Sequence, residues 1–423
     1  MKIERQHTVS LLFGFMVVAA ILLMAPTKSA AEDLFNVTAS GGGITRSVSG
    51  SSVVDLINNA VNAKDTFSVF QGTAFIADLN YAGVPGAIQF TTNAAGTSAT
   101  LSIPSANFTR TFNGATRADT EEQLEDFLKT DASGVITDFY KAVNSQSPVA
   151  VTDGNPQSAT ALAARDTFQL YGVLVARTNE ERETQKELKE GPGLGAVLNI
   201  GSFTANGIHG TTYSLPLTTP FRLSSRVGLN LEVPLNYEKL GGARVFGSGL
   251  IAGVPIQIMK ASNSSPWSWQ VTPFGGFTGS ASKDMAAGGL LSIAGAASVV
   301  ARDFQRVTIS MGNMFSSHSG ISLSVAGYRF DPGVKQTIFK NGGKLDVPLG
   351  RRWILDGSVV LTNFTNDAAV SHFETLGGEI IYRVLGNSSA DRNGSHYLKA
   401  GVYSDVGSHF RSTQLQVGSA WKF

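Results

Sequence analysis

Cysteine is absent from the 423-residue chain. Its absence excludes disulfides, thiolate metal sites and a lipoprotein anchor, which needs a cysteine at the cleavage point. Charged residues are also scarce, at 15% of the chain, and 33 Lys and Arg nearly balance 32 Asp and Glu. A chain this close to neutrality has no bulk electrostatic attraction for nucleic acid, so we predict no nucleic-acid partner.

Long apolar runs are missing as well, except near the amino terminus. No later run approaches the roughly twenty residues of a transmembrane helix, which excludes a helical membrane protein. The one apolar run, from Leu11 to Met24, follows Lys2 and Arg5 and precedes the small residues Ser29–Ala31. This pattern is typical of an export signal, so we predict a cleaved signal peptide over residues 1–31. An uncleaved anchor is the alternative.

Motifs for bound groups are equally scarce. None of the six histidines has a second histidine or paired carboxylates at helical ligand spacing, and no glycine-rich loop ends in Gly-Lys followed by Ser or Thr. We therefore predict no metal site and no cofactor.

What the chain does contain is glycine, 46 residues of it, and apolar positions that recur every second residue after residue 193. The longest example spans residues 226–237. Such alternation places apolar and polar side chains on opposite faces of a strand, and about ten residues is the length that a tilted strand needs to cross a membrane. Turn signals separate about twelve strands, although residues 331–351 fit either a loop or a short strand. The predicted fold is mainly β: a closed antiparallel transmembrane barrel over residues 194–423.

The polar face of these strands carries charges of both signs. Arg or Lys facing lipid at the midplane would cost about 2 to 4 kcal/mol, so these side chains are predicted to face the lumen. They are Arg226, Glu232, Arg306, Arg352, Asp356, Glu379, Arg383 and Lys399.

Two further regions precede the barrel. Residues 32–148 combine short alternating segments with helical stripes and are predicted to form a small α+β domain; one helix is expected to begin at a capping box of Thr120 and Gln123. Residues 149–193 are predicted to be helical. Their second half is polar all round, so this segment is either a solvated linker or a helix that enters the barrel lumen.

The chain ends on an alternating strand that stops at aromatic residues. Gln416, Gly418, Trp421 and Phe423 resemble the C-terminal assembly signal of bacterial outer-membrane β-barrel proteins. The resemblance implies location in the outer membrane, with its lipids and the barrel-assembly machinery as partners. An exported domain followed by a helix and about twelve strands also looks like an autotransporter, whose barrel encloses a linker helix while the passenger lies outside the cell. Typical passengers are long repetitive β-solenoids, whereas residues 32–148 are short, mixed and without repeats.

One pair of residues invites a catalytic interpretation. Some outer-membrane lipid hydrolases use a barrel-wall histidine and a serine two residues after it. Here Gly320 stands two residues after His318, and only Ser316 lies two residues before it, in what the sequence predicts to be a polar turn over residues 316–320. We therefore predict no catalytic residues.

The sequence favours a non-enzymatic outer-membrane barrel that acts in passage across the membrane or in its architecture. Residues 32–148 would then be periplasmic, associated with the lumen or exposed at the surface. An autotransporter-like translocator that exposes residues 32–148 is the first alternative, and an outer-membrane lipid hydrolase is the second. Solute, pore state and oligomeric state stay open.

Overall fold

The computed structural model describes residues 34–53, 55–56, 59, 68–130, 133–172, 193–262, 265–304, 307–325, 328–350, 352–384 and 396–422. The predicted signal peptide, the polar segment 178–190 and Phe423 lie outside these residues. Among the described helices, none has the length and hydropathy needed to cross a membrane.

The first described region is an antiparallel sheet of six strands in the order β2-β1-β3-β4-β5-β6. We call this sheet, together with the two helices that follow it, the cap. In β5 every second residue is buried, because its apolar positions face the helices while its hydroxyl-bearing positions face water. The strands are β1 (Phe35–Gly41), β2 (Ile44–Gly50), β3 (Phe75–Tyr81), β4 (Val84–Thr92), β5 (Ser98–Ile103) and β6 (Phe108–Asn113).

The cap helices are α1 (Arg117–Thr130) and α2 (Ser133–Gln146). The predicted start of the first helix is wrong by about one turn. The backbone N–H of Asp119 donates to Thr116 Oγ1 at 3.2 Å, and the N–H of Thr116 donates to Asp119 Oδ2 at 2.9 Å. Thr116 and Asp119 thus form the reciprocal capping contacts. Thr120 already lies inside the helix, where its hydroxyl donates to the Thr116 carbonyl.

The second region is a closed antiparallel barrel of twelve strands, which confirms the predicted fold class. Its last strand pairs with its first over the full length of both, so the wall has no free edge. The segments are β7 (Gly193–Ala205), β8 (Ile208–Ser214), β9 (Leu217–Arg222), β10 (Gly228–Val233), β11 (Leu235–Leu240), β12 (Ala243–Gly253), β13 (Ile256–Met259), β14 (Trp267–Ser282), β15 (Ala287–Phe304), β16 (Val307–Ile321), β19 (Lys335–Leu349), β20 (Trp353–Phe364), β21 (His372–Val384), β22 (His396–Gly407) and β23 (Phe410–Lys422). A small hairpin of β17 (Leu323–Val325) and β18 (Tyr328–Phe330) lies between β16 and β19.

Fifteen segments make twelve strands because three strands are interrupted at prolines. Pro216 separates β8 from β9, Pro234 separates β10 from β11, and Pro255 lies between β12 and β13. Proline has no N–H to donate, so the hydrogen-bond ladder breaks there. The continuous strand predicted over residues 226–237 is therefore split at Pro234.

One open alternative is decided and one local prediction is corrected. Residues 331–351, which fitted either a loop or a short strand, contain β19, a complete barrel strand paired with β16 and β20 along most of its length. Residues 316–320 are not a turn, because they belong to β16. Their side chains are alternately buried and exposed, as in the rest of β16, and their backbone pairs with β15 and β19. This pairing outweighs their turn-like composition.

The barrel is apolar outside, and its inner face carries buried polar side chains together with some buried apolar ones. Along β16, Ile309, Met311 and Phe315 are exposed by 45%, 66% and 48%, whereas their chain neighbours Ser310 and Ser316 are buried. Exposed apolar side chains on every second residue suit contact with lipid, and buried polar ones suit the lumen.

Exposed aromatic side chains lie toward the strand ends. Trp267 and Trp269 open β14, and Trp353 opens β20 beside Tyr382, with ring centroids 4.7 Å apart. Such belts mark the two membrane interfaces in outer-membrane barrels.

The barrel has two distinct mouths. We call one the cap mouth: it holds the turns 206–207, 241–242, 283–286 and 408–409, and the cap sits on it. We call the other the terminal mouth, because β7 begins there and β23 ends there.

Candidate functional site

The cap is fixed to the barrel by the turn between β14 and β15. Three donors reach three successive carbonyls of this turn, one from the segment after β2 and two from the cap: the N–H of Val53 donates to Asp284 at 2.8 Å, the Tyr81 hydroxyl to Met285 at 2.5 Å, and the Tyr140 hydroxyl to Ala286. The Met285 side chain is only 1% exposed and lies in the cap's core. The cap therefore packs around this turn, residues 283–286, which we call the peg.

Apolar packing continues this contact across the mouth. One buried cluster combines cap residues such as Phe35, Tyr81 and Phe139 with the barrel residues Phe203 and Phe410. Burial raises the pKa of Tyr81 and of Tyr140, so both phenols stay protonated and keep donating at neutral pH. Cap and barrel thus share one hydrophobic core.

A buried strap, residues 147–158, leads from the cap into the lumen. Its Asp153 accepts a hydrogen bond of 2.7 Å from the Thr160 hydroxyl. Burial raises the pKa of Asp153 to about 6, against the opposing effect of that hydrogen bond. The strap positions the next helix and contains a carboxyl group that titrates close to neutrality.

That helix, α3 (Ala159–Tyr171), lies inside the barrel and is buried along nearly its whole length. Small residues, including Ala161, Ala163 and Ala164, let it approach the wall closely. At its far end Tyr171 stacks on Phe274 with ring centroids 5.9 Å apart. We call α3 the lumen helix.

Two glycines of the wall make room for the end of the lumen helix. A Cβ on Gly312 would lie 1.8 Å from the carbonyl oxygen of Gly172, and a Cβ on Gly253 would lie 2.4 Å from the Tyr171 ring. No larger residue fits at either position unless the helix moves. The helix end therefore rests directly on the backbone of the wall.

Polar contacts bind the lumen helix to the closing strands. Arg165 Nε lies 3.2 Å from Asp166, and its Nη1 donates to Gln414 on β23 at 2.9 Å. Gln416, two residues further along, donates to Gln169 at 3.3 Å and to Asn199 on β7 at 2.7 Å. The seam between the last and first strands is thus bridged by side chains as well as by the backbone ladder.

A second charged network lines the wall nearer the terminal mouth. Lys344 lies 3.2 Å from Asp346 and also contacts Asp356. On the neighbouring strands Lys399 lies 3.3 Å from Glu379. These buried pairs compensate one another, so the lumen holds charge without exposing it to lipid.

The structure separates the predicted lumen residues into groups. Glu232, Asp356 and Glu379 are buried in the lumen, and Lys399 is half-buried beside Glu379. Arg383 is half-buried near the end of β21, whereas Arg226 and Arg352 are exposed at the terminal mouth; Arg306 lies outside the described residues. Of the predicted assembly signal, Gln416 and Gly418 face the lumen from β23 and Trp421 belongs to the same strand, and Phe423 is not described.

Several buried charges were missed from the sequence. Lys340, Lys344 and Asp346 lie on β19 and alternate as lumen residues do, but the sequence of this segment fits both a loop and a strand. Arg165 and Asp166 lie on the lumen helix. Their only sequence signal was the unusual presence of charge within an alanine-rich helix.

Ser316 and His318 are adjacent in the lumen. Ser316 Oγ lies 3.0 Å from His318 Nε2, and both residues are fully buried. Within the described chain, His318 Nδ1 has no hydrogen-bond partner, so no carboxylate orients the ring as nucleophile activation requires. The described residues also contain no group of three or more His, Cys, Asp or Glu side chains placed to share a metal ion.

These features together define a class. A closed wall of twelve strands, an apolar outer surface with aromatic ends and a charged interior are the attributes of an outer-membrane β-barrel. The chain has the fold of an outer-membrane β-barrel, with a cap on one mouth and a helix in its lumen.

No protein-family model and no curated protein sequence matches the chain. Among solved structures, the translocator domain of the autotransporter NalP from Neisseria meningitidis is 11% identical, with a TM-score of 0.41 over 62% of this chain and 97% of that one. The β domain of the Bordetella autotransporter BrkA is 15% identical, with a TM-score of 0.39 over 55% and 100%. An outer-membrane channel from Pseudomonas putida is 12% identical, with a TM-score of 0.43 over 59% and 100%.

Proposed function

We propose that the protein is an autotransporter-like barrel that holds its own residues 32–148 at the cell surface as a fixed cap. The observation that carries the proposal is the path of the chain. The cap sits on one mouth, the lumen helix runs inward from it, and Gly193 begins the barrel at the opposite mouth. Cap and barrel ends are therefore on opposite sides of the membrane.

The orientation follows from how such barrels are assembled. An even number of strands puts both barrel ends on one side of the membrane, and we take that side to be the periplasm, as the resemblance of the last strand to the assembly signal implies. Gly193 and Lys422 pair at the terminal mouth. The cap mouth then opens to the outside.

The filled lumen supports an architectural role over solute passage. The lumen helix contacts the wall on several sides, through Tyr171 at Phe274, Gly172 at Gly312 and Arg165 at Gln414. Displacing it would expose the buried charges of both helix and wall. The extensive core shared by cap and barrel likewise supports a domain that stays attached instead of being released.

The absence of cysteine allows a clean test of the orientation. Ser47 is exposed on strand β2 of the cap, and Ser225 is exposed in the 223–227 loop of the terminal mouth. In intact cells, a membrane-impermeant maleimide should label the Ser47→Cys variant and not Ser225→Cys. After the outer membrane is permeabilised, both should react.

The opposite labelling pattern would place the cap in the periplasm and refute the proposal. The unsubstituted protein gives the background of the assay, since it has no thiol. Heat-modifiable migration of each variant in detergent gels verifies that the labelled barrels are folded.

A further inference from the structure

A small cavity lies where the strap enters the lumen. It measures about 10 Å³ and is lined by Gln157 and Leu162 on one side and by the wall strands β11, β12 and β14 on the other. That volume is close to the minimum for one water-sized occupant. The cavity is therefore matched to a single atom or a single small molecule.

Unpartnered oxygen atoms line this cavity. In the part of the chain that the structure describes, Gln157 Oε1, Asn236 Oδ1 and Glu238 Oε1 are buried and have no hydrogen-bond partner; Gln157 Nε2 has none either. Glu238 is only 5% exposed and Gln157 only 4%. Buried polar atoms left unpaired are costly, so three unpaired acceptors on residues that line one cavity favour an occupant that binds them.

The charge balance indicates what that occupant is. Arg165 is the cation whose field reaches Glu238. Its Nε lies 3.2 Å from Asp166 and its Nη1 donates to Gln414 at 2.9 Å, whereas among the described residues no hydrogen bond or ion pair joins Arg165 to Glu238. A buried carboxylate without its own counter-charge carries a large desolvation penalty, which a bound cation removes and a neutral water does not.

Two hydroxyls complete an all-oxygen shell. Ser280 lines the cavity and donates its proton to the Val151 carbonyl at 3.0 Å, and Thr278 donates to the Ser248 carbonyl at 3.4 Å. Because both protons point away to other acceptors, the hydroxyl oxygens keep lone pairs for a ligand.

We propose that this cavity binds one hard cation, Ca²⁺ or Na⁺, between the strap and the barrel wall. The ligands are the carboxylate of Glu238, the amide oxygens of Asn236 and Gln157, and the hydroxyls of Thr278 and Ser280. Carboxylate, amide and hydroxyl oxygens are the groups such cations prefer. The ion joins Gln157 of the strap to Glu238 of the wall, and so fastens the lumen helix at its entrance.

The test uses the full-length protein refolded in detergent, stripped with chelator and dialysed into choline chloride. CaCl₂ and NaCl are then titrated separately, and choline chloride at the same ionic strength is the control. We expect a saturable rise of a few degrees in the unfolding temperature with one of the two salts. Equilibrium dialysis against radioactive ⁴⁵Ca²⁺ or ²²Na⁺ should give one ion per chain.

The Glu238→Gln variant should lose the rise and the bound ion, whereas Glu374→Gln, an exposed strand glutamate, should retain both. If Glu238→Gln does not fold, Gln157→Met removes a ligand on the strap at similar volume, and its apparent dissociation constant should rise at least tenfold. If neither salt stabilises the protein beyond choline chloride, or if the substitutions leave the rise unchanged, the occupant is a water or a proton and the proposal is overturned.

Discussion

Replacing Asp153 with asparagine should make the protein more stable at alkaline pH and leave its stability unchanged in acid. Asp153 lies in the strap with 6% of its surface exposed. Burial raises its pKa to about 6 from an ordinary value of 3.8. In the folded state the carboxyl group therefore holds its proton over a pH range in which the unfolded chain has lost it.

The sign of the effect follows from this difference. As pH rises from about 3.8 to about 6, the unfolded state releases a proton that the native state keeps, so stability falls through this window and stays low above it. A difference of about 2 units corresponds to about 3 kcal/mol, at 1.36 kcal/mol per unit. Asparagine keeps an acceptor for the Thr160 hydroxyl and never ionises, so Asp153→Asn avoids the loss.

The assay is thermal unfolding in detergent, followed by heat-modifiable gel migration at pH 4, 6 and 8. The unfolding temperature of Asp153→Asn should exceed that of the unsubstituted protein by several degrees at pH 8, by less at pH 6, and by almost nothing at pH 4. Asp367→Asn is the matched control, because it removes the same charge from an exposed position at the same mouth. An equal gain at all three pH values, or a loss at pH 8, would refute the reasoning.

Two further substitutions test the cap and the lumen helix. Met285→Ala should lower the free energy of unfolding by about 2 to 5 kcal/mol and make the cap sensitive to limited proteolysis, because it empties a fully buried position. Met311→Ala is the control: this residue is 66% exposed on the lipid face, so its substitution should change neither stability nor proteolysis. Equal effects of the two substitutions would argue against the peg. Gly312→Val should push the lumen helix off the wall and raise ion conductance in planar bilayers, because even its Cβ would lie 1.8 Å from the Gly172 carbonyl oxygen. Gly357→Val is the control, since it adds the same bulk where no atom lies within 4 Å. If neither variant raises conductance, the lumen helix does not seal the lumen.

The barrel was predictable because alternation is a local signal. A period of two is visible in any strand that faces lipid on one side, and the strand count follows from the turns between strands. β19 was harder to find: Gly342, Gly343 and Pro348 weaken its pattern, and it is held in the wall by pairing with β16 and β20, which no local pattern reports.

The interior was predictable only in part, because alternation gives the face of a residue and not its depth along the barrel. Glu232 and Arg226 share a face in the pattern, yet Glu232 is buried in the lumen and Arg226 lies exposed at the terminal mouth. Contacts across the lumen depend on where the lumen helix lies inside the barrel. The position of this helix brings Arg165 to Gln414 of β23, although the two residues are far apart in sequence.

The peg at Met285 also bears on the order in which the molecule folds. The core of the cap contains a side chain that the chain supplies some two hundred residues later, from a turn that exists only after β14 and β15 have paired. The cap therefore cannot complete its core on its own, however early its residues leave the ribosome. Its final packing depends on closure of the wall, and the free energy released when it closes around Met285 becomes available only at the mouth, once the barrel is built.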